Sequence, residues 1–175
     1  MDPYEGINAY VFVADAHEPD FGRLRSLPRA EGPGVRAVGI LNGPWDAIVA
    51  VSAGSLEELG RIVLEQIRGG QSPRTDTAVA IRPFRVIPMS PDLPPVVAFV
   101  RVRLQPGRGV EALDAAERIP GFVGAALVAG SFDLLLEFGG ASVDDVAGVL
   151  TGDVSALPGV VSTETSFAAE VVQAG

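Results

Sequence analysis

The chain has 175 residues, 47% of them hydrophobic, a mean hydropathy of +0.32, and a net charge of −9 from 22 acidic and 13 basic side chains. This length and composition support a buried core and exclude a disordered chain. The acidic balance, with no Lys/Arg-dense segment to offset it, argues against direct nucleic-acid binding.

Other absences narrow the chemistry further. There is no cysteine, which removes disulfides and thiolate metal sites, and His17 is the one histidine. No apolar run approaches the roughly 18 residues of a membrane helix. Met1-Asp2-Pro3-Tyr4-Glu5-Gly6 lacks the basic start and apolar core of a signal peptide. The expectation is a cytoplasmic protein with no membrane contact, no metal and no cofactor.

In chain order, the first strand candidate is Ala9-Tyr10-Val11-Phe12-Val13. A shift of 87 positions places it on Val96-Val97-Ala98-Phe99-Val100, which continues as Arg101-Val102-Arg103-Leu104. Alternation at period two sets Val100, Val102 and Leu104 on one face and both arginines on the other. Helix candidates follow, with apolar residues three apart: Phe21, Leu24 and Leu27 in the first half, and Val110, Leu113, Ala116 and Ile119 in the second.

The same shift sets Pro33-Gly34-Val35 on Pro120-Gly121-Phe122, a Pro-Gly pair that stops each helix and turns the chain into a strand. Those strands, 36–41 and 123–128, end in Asn42-Gly43-Pro44-Trp45-Asp46 and Ala129-Gly130-Ser131-Phe132-Asp133. Each turn reads Gly, any residue, aromatic, Asp, and each leads into an apolar strand, forming a hairpin. Ser55 with Glu58, and Ser142 with Asp145, mark two helix N-termini. The second of these helices is expected to fray at Thr151-Gly152-Asp153. Closing strands carry Thr75 and Thr77, and Thr163 and Thr165, now at a shift of 88.

Each half therefore reads β-α-β-β-α-β. The fold expectation is α+β: tandem ferredoxin-like βαββαβ repeats forming a pseudo-dimeric α/β barrel. The domains are set at 7–84 and 95–172, with a Pro-rich linker at 85–94.

These residues resemble the effector-binding domain of the Lrp/AsnC regulators, also called RAM and ACT-like. The resemblance is carried by the element order, the two Gly-x-aromatic-Asp turns, Leu157 to Val160, and the Thr-x-Thr strands. It covers 7–84 and 95–172, and the second copy is the closer. It implies dimeric α/β barrels that assemble further, and amino acids or related small metabolites bound at domain interfaces near the turn. Typical members also carry a DNA-binding helix-turn-helix. Residues 1–8 before the first strand leave no room for one, so direct DNA binding is not expected.

The ligand-binding candidates are Gly43, Trp45 and Asp46, then Gly130, Phe132 and Asp133, with Thr163 and Thr165. The aspartates could receive an ammonium group while backbone N–H groups approach a carboxylate. The alternative is that each aspartate caps its own turn. Arg101 and Arg103 form a candidate anion patch or internal salt bridges, and Trp45 is read as a packing anchor. His17, beside Glu18 and Asp20, lacks a second His or Cys to complete a metal shell.

No nucleophile–base pair or phosphate loop emerges, and no catalytic residue is assigned. The functional expectation is a stand-alone effector-binding regulatory protein. It would bind an amino acid or related metabolite and act through a homo-oligomer or an Lrp/AsnC-type protein partner. The rival reading is a dimeric α/β-barrel enzyme, a monooxygenase or tetrapyrrole-processing protein.

Overall fold

The computed structural model describes residues 6–69, 73–86, 89 and 92–174. Pro88 and Pro91 of the expected linker lie outside them. The chain divides into two compact units, Met1–Ala80 with Ala169–Gly175, and Ile81–Ala168.

The first unit holds β1 (Ile7–Ala14), α1 (Glu18–Arg25), β2 (Gly34–Asn42), β3 (Ala47–Ala53), α2 (Leu56–Arg61) and the first part of β4 (Arg74–Val86). Its antiparallel order is β4-β1-β3-β2, the ferredoxin-like arrangement, with the last residues of β8 (Val160–Gln173) beyond β2. Ala9, Val11 and Val13 of β1 pack with Leu24 of α1, Leu59 of α2, and Ile62, Val63 and Ile67 just after it. Both helices thus cover one sheet face, as period-two alternation in β1 requires.

The second unit repeats the plan with β5 (Val96–Leu104), α3 (Gly109–Ala116), β6 (Phe122–Ala129), β7 (Leu134–Gly140) and α4 (Val143–Val149). Its order is β8-β5-β7-β6, with the later residues of β4 beyond β6. Here Ala98, Val100 and Val102 pack with Leu113 of α3, Val146 of α4, and Leu150 and Val154 beyond it. The expected α+β, tandem ferredoxin-like organisation is present. Strand β4 runs to Val86, so its end occupies the start of the stretch read as linker.

Local chemistry explains where the helices start. Ser55 Oγ accepts the Glu58 N–H at 3.1 Å, and Ser142 Oγ accepts the Asp145 N–H at 3.2 Å. Asp20 caps α1 by accepting the His17 N–H at 2.9 Å. That bond lowers the Asp20 pKa against an opposing desolvation, with Arg23 assisting.

Three details depart from the sequence reading. Helix α4 does not end early, and α2 continues as far as its apolar residues reach. Both widen into π-helical turns, Ile62–Ile67 and Leu150–Val154, so Thr151-Gly152-Asp153 is helical rather than frayed. Val110 is 56% exposed and stands off the apolar stripe of α3, whose buried residues are Ala112, Leu113 and Ala116. A first-turn residue lies at the helix rim, where spacing alone does not determine burial.

The third departure concerns register. Hairpin residues repeat at 87, yet β1 pairs Val13 with Ala47 while β5 pairs Val102 with Leu134. The first strands therefore correspond at a shift of 89, which makes Phe12 the counterpart of Arg101, and Tyr10 that of Phe99. An even slip keeps each side chain on its face, so alternation could not reveal it.

Candidate functional site

The two turns are held by the same three bonds. In the first, the Asp46 N–H donates to the Val13 carbonyl at 2.8 Å and the Asp46 carbonyl accepts from Leu41 N–H at 2.9 Å. Asp46 Oδ2 accepts the Ala16 N–H at 3.1 Å. In the second, Asp133 N–H donates to Val102 O at 2.9 Å, and Val128 N–H donates to Asp133 O at 3.0 Å. Asp133 Oδ2 accepts the Leu104 N–H at 2.7 Å. Each aspartate therefore ties its hairpin to the chain leaving the first strand of its unit. A carboxylate receiving a backbone N–H makes a charge-assisted bond of this kind.

Their glycines differ. Gly43 has φ +148°, a conformation open to glycine, whereas Gly130 is not among the positive-φ glycines of the described residues.

The aromatic residues share a position and differ in partner. Trp45 is half-buried, with its ring edge-on to Phe12 at 5.8 Å and Arg74 5.6 Å from its centroid. Phe132 is buried, and the Arg101 guanidinium lies over its ring at 4.4 Å. Arg101, its side chain 11% exposed, also donates from Nη2 to Ser131 Oγ at 2.8 Å and stands 3.7 Å from Glu164 Oε1. The second turn thus carries a cation, a hydroxyl and a carboxylate around one aromatic ring.

Thr163 and Thr165 lie elsewhere. They pair with Val102 and Val100 and share the helix-packed face, while Arg101 pairs with Glu164 on the opposite face. The structure joins Phe132 and Asp133 in one turn with Arg101, and separates both threonines from Arg101 by the thickness of the sheet. Arg103 is exposed, and His17 is an exposed residue at the start of α1.

One group went unnoticed in the sequence. Ser166, Phe99, Glu137 and Gly124 stand in register across β8, β5, β7 and β6, on the face away from the helices. Glu137 is 0% exposed. Its Oε2 accepts the Met89 N–H, and its Oε1 is buried without a hydrogen-bond partner among the described residues. Burial raises its pKa to about 7, against the opposing hydrogen bond from Met89. The equivalent row of the first unit is Ala78, Tyr10, Ala50 and Ala37. The available signal was an acid inside the apolar run Leu134-Leu135-Leu136-Glu137-Phe138, where the first copy has Ala50.

Residues 97–174 match the family described as the Lrp/AsnC ligand binding domain. An uncharacterized HTH-type transcriptional regulator of Pyrococcus abyssi is 36% identical over 66 residues, 36% of this chain and 43% of that protein. A Pyrococcus furiosus protein of the same description matches at 36% over the same shares. The chain thus spans less than half the length of these relatives.

Two solved structures are similar over almost the whole chain. The siroheme decarboxylase NirDL has a TM-score of 0.65 at 9% identity, covering 96% of this chain and 73% of that one. A putative monooxygenase from Lactobacillus acidophilus has a TM-score of 0.58 at 10% identity, covering 97% and 96%. At such identities the likeness shows the fold alone. No helix among the described residues is long and apolar enough to cross a membrane.

Proposed function

We infer that this chain, whose residues 97–174 form an Lrp/AsnC ligand-binding domain, is an effector-binding regulatory protein that takes an amino acid or a related small metabolite. The observation that carries this reading is the Gly-x-aromatic-Asp turn, built twice on the same aspartate bonds, with Arg101 over the aromatic ring in the second copy. Arg101 supplies a partly desolvated cation for a carboxylate, and Asp133 an exposed carboxylate for an ammonium. The contact residues on this reading are Gly130, Phe132 and Asp133, with Gly43, Trp45 and Asp46 as the first-unit counterpart. Thr163 and Thr165, on the helix-packed face, stand apart from these contacts.

Occupancy would pass to a second copy or to an Lrp/AsnC-type partner, because the net charge of −9 opposes direct contact with DNA. A thermal-shift screen of the twenty amino acids at millimolar concentration tests the reading. At least one should raise the melting temperature, and Arg101→Ala should weaken that response at least tenfold in concentration. A flat screen overturns it.

A further inference from the structure

The row Ser166–Phe99–Glu137–Gly124 invites a functional explanation of its own. A carboxyl group on a fully buried side chain, with one oxygen lacking a partner among the described residues, is a cost that folding does not require. The first unit demonstrates this, since it builds the same row with Ala50 opposite Ala37. In the second unit the opposing residue is Gly124, which places no side chain beside the acid. Phe99 offers an aromatic ring on the other side, followed by the buried Ser166. Directly opposed residues stand about 5 Å apart, so acid, ring and hydroxyl span a patch of small-molecule size.

We propose that this row is a binding site for a small primary ammonium ion, whose N–H groups satisfy Glu137 Oε1 while its alkyl part lies against Phe99. The bond from Met89 N–H to Oε2 orients the carboxyl group and leaves Oε1 as the acceptor. An ammonium supplies both the missing donor and the counter-charge for an ionised carboxylate, and Phe99 offers apolar surface to the alkyl part. The second unit alone has this acid, so the site occurs once per chain. It is independent of the turns, and a simple amine has no carboxylate for Arg101.

Ethylammonium chloride is the probe, with tetramethylammonium chloride, a cation without N–H donors, as control. In wild-type protein labelled with 13C at the Glu side chains, ethylammonium should lower the Glu137 titration midpoint by about one pH unit, a tenfold preference for the ionised form. It should also raise the melting temperature more at pH 8 than at pH 6. Tetramethylammonium should do neither, and Glu137→Gln should abolish the thermal response. An unchanged midpoint overturns the proposal, as does an equal effect of tetramethylammonium. The labelled wild-type titration decides the matter even if the variant fails to fold.

Discussion

The Arg101 guanidinium lies 4.4 Å from the centre of the Phe132 ring, in the place that Phe12 holds against Trp45 in the first unit. One unit packs an aromatic on its turn, and the other packs a cation. Guanidinium is planar and weakly hydrated, so it can replace an aromatic neighbour without opening a void. The aspartate hydrogen bonds of the two turns are shared between the units, and the contacts of their aromatic rings are not.

This contact should be measurable. Phe132→Ala removes a buried ring and is expected to destabilise by about 3 kcal/mol, and Arg101→Ala by about 1 kcal/mol through lost packing. A double-mutant cycle by urea unfolding should give a coupling of about 1–2 kcal/mol, between the values for exposed and desolvated cation–π pairs. Strict additivity would mean that the two side chains are neighbours without interaction.

The aspartates should act as staples in both units. Asp46→Ala leaves the Ala16 N–H without its acceptor, and Asp133→Ala does the same to Leu104. Each is expected to cost about 1–2 kcal/mol, read as a lower urea midpoint at unchanged slope. Asp133 is the more exposed, so water can replace its oxygen and its loss should be the smaller. Effects below a few tenths of a kcal/mol at both sites would remove the stapling role and leave the aspartates to ligand binding alone.

The sequence exposed the duplication because turns are chemically distinctive: Gly, aromatic and Asp recur where the hairpin must close, and Ser55 and Ser142 recur where helices must start. It concealed whatever depends on pairing partners. Phe12 and Arg101 are counterparts only through hydrogen-bond register, and an even slip leaves the alternation intact. The π-helical turn after α2 keeps ordinary helix-forming residues, so no breaker announces it, while the one after α4 runs through Thr151-Gly152-Asp153, poor helix formers that signal an end where the helix in fact widens. Glu137 stays hidden in its apolar run, because alternation assigns a face and says nothing about whether that face is wet. Thr163 and Thr165 show the converse: a spacing of two sets them on one face together, but which face required the sheet order.

Stability should fall as pH rises through neutrality, on account of Glu137. Its pKa in the fold, about 7, lies above the ordinary glutamate value of 4.5. A raised carboxyl pKa means that the fold prefers the protonated acid. The contribution is therefore complete below about pH 4.5 and is lost as pH climbs through 7, amounting to about 3 kcal/mol. Chemical denaturation at pH 5, 6, 7 and 8 should trace this loss, and Glu137→Gln, neutral throughout, should flatten it. A wild-type profile as flat as that of the variant would show Glu137 to be solvated.

Two glycines provide a contrast in backbone strain. Gly121 has φ +87°, and a Cβ there would sit 2.6 Å from the Gly139 carbonyl oxygen, a backbone atom. The neighbouring chain cannot retreat, because the Gly139 N–H donates to the Gly121 carbonyl at 2.8 Å and ties the start of β6 to the end of β7. Gly107 has a similar φ of +79° with nothing within 4 Å of an added Cβ. Gly107→Ala should therefore cost only the left-handed conformation, about 1 kcal/mol. Gly121→Ala adds the clash and should cost about 2–4 kcal/mol, with faster amide exchange along β6 and β7 as the local signature. If the two variants prove equal in urea unfolding, the β6–β7 corner has room that the 2.6 Å approach denies, and strain alone governs both positions.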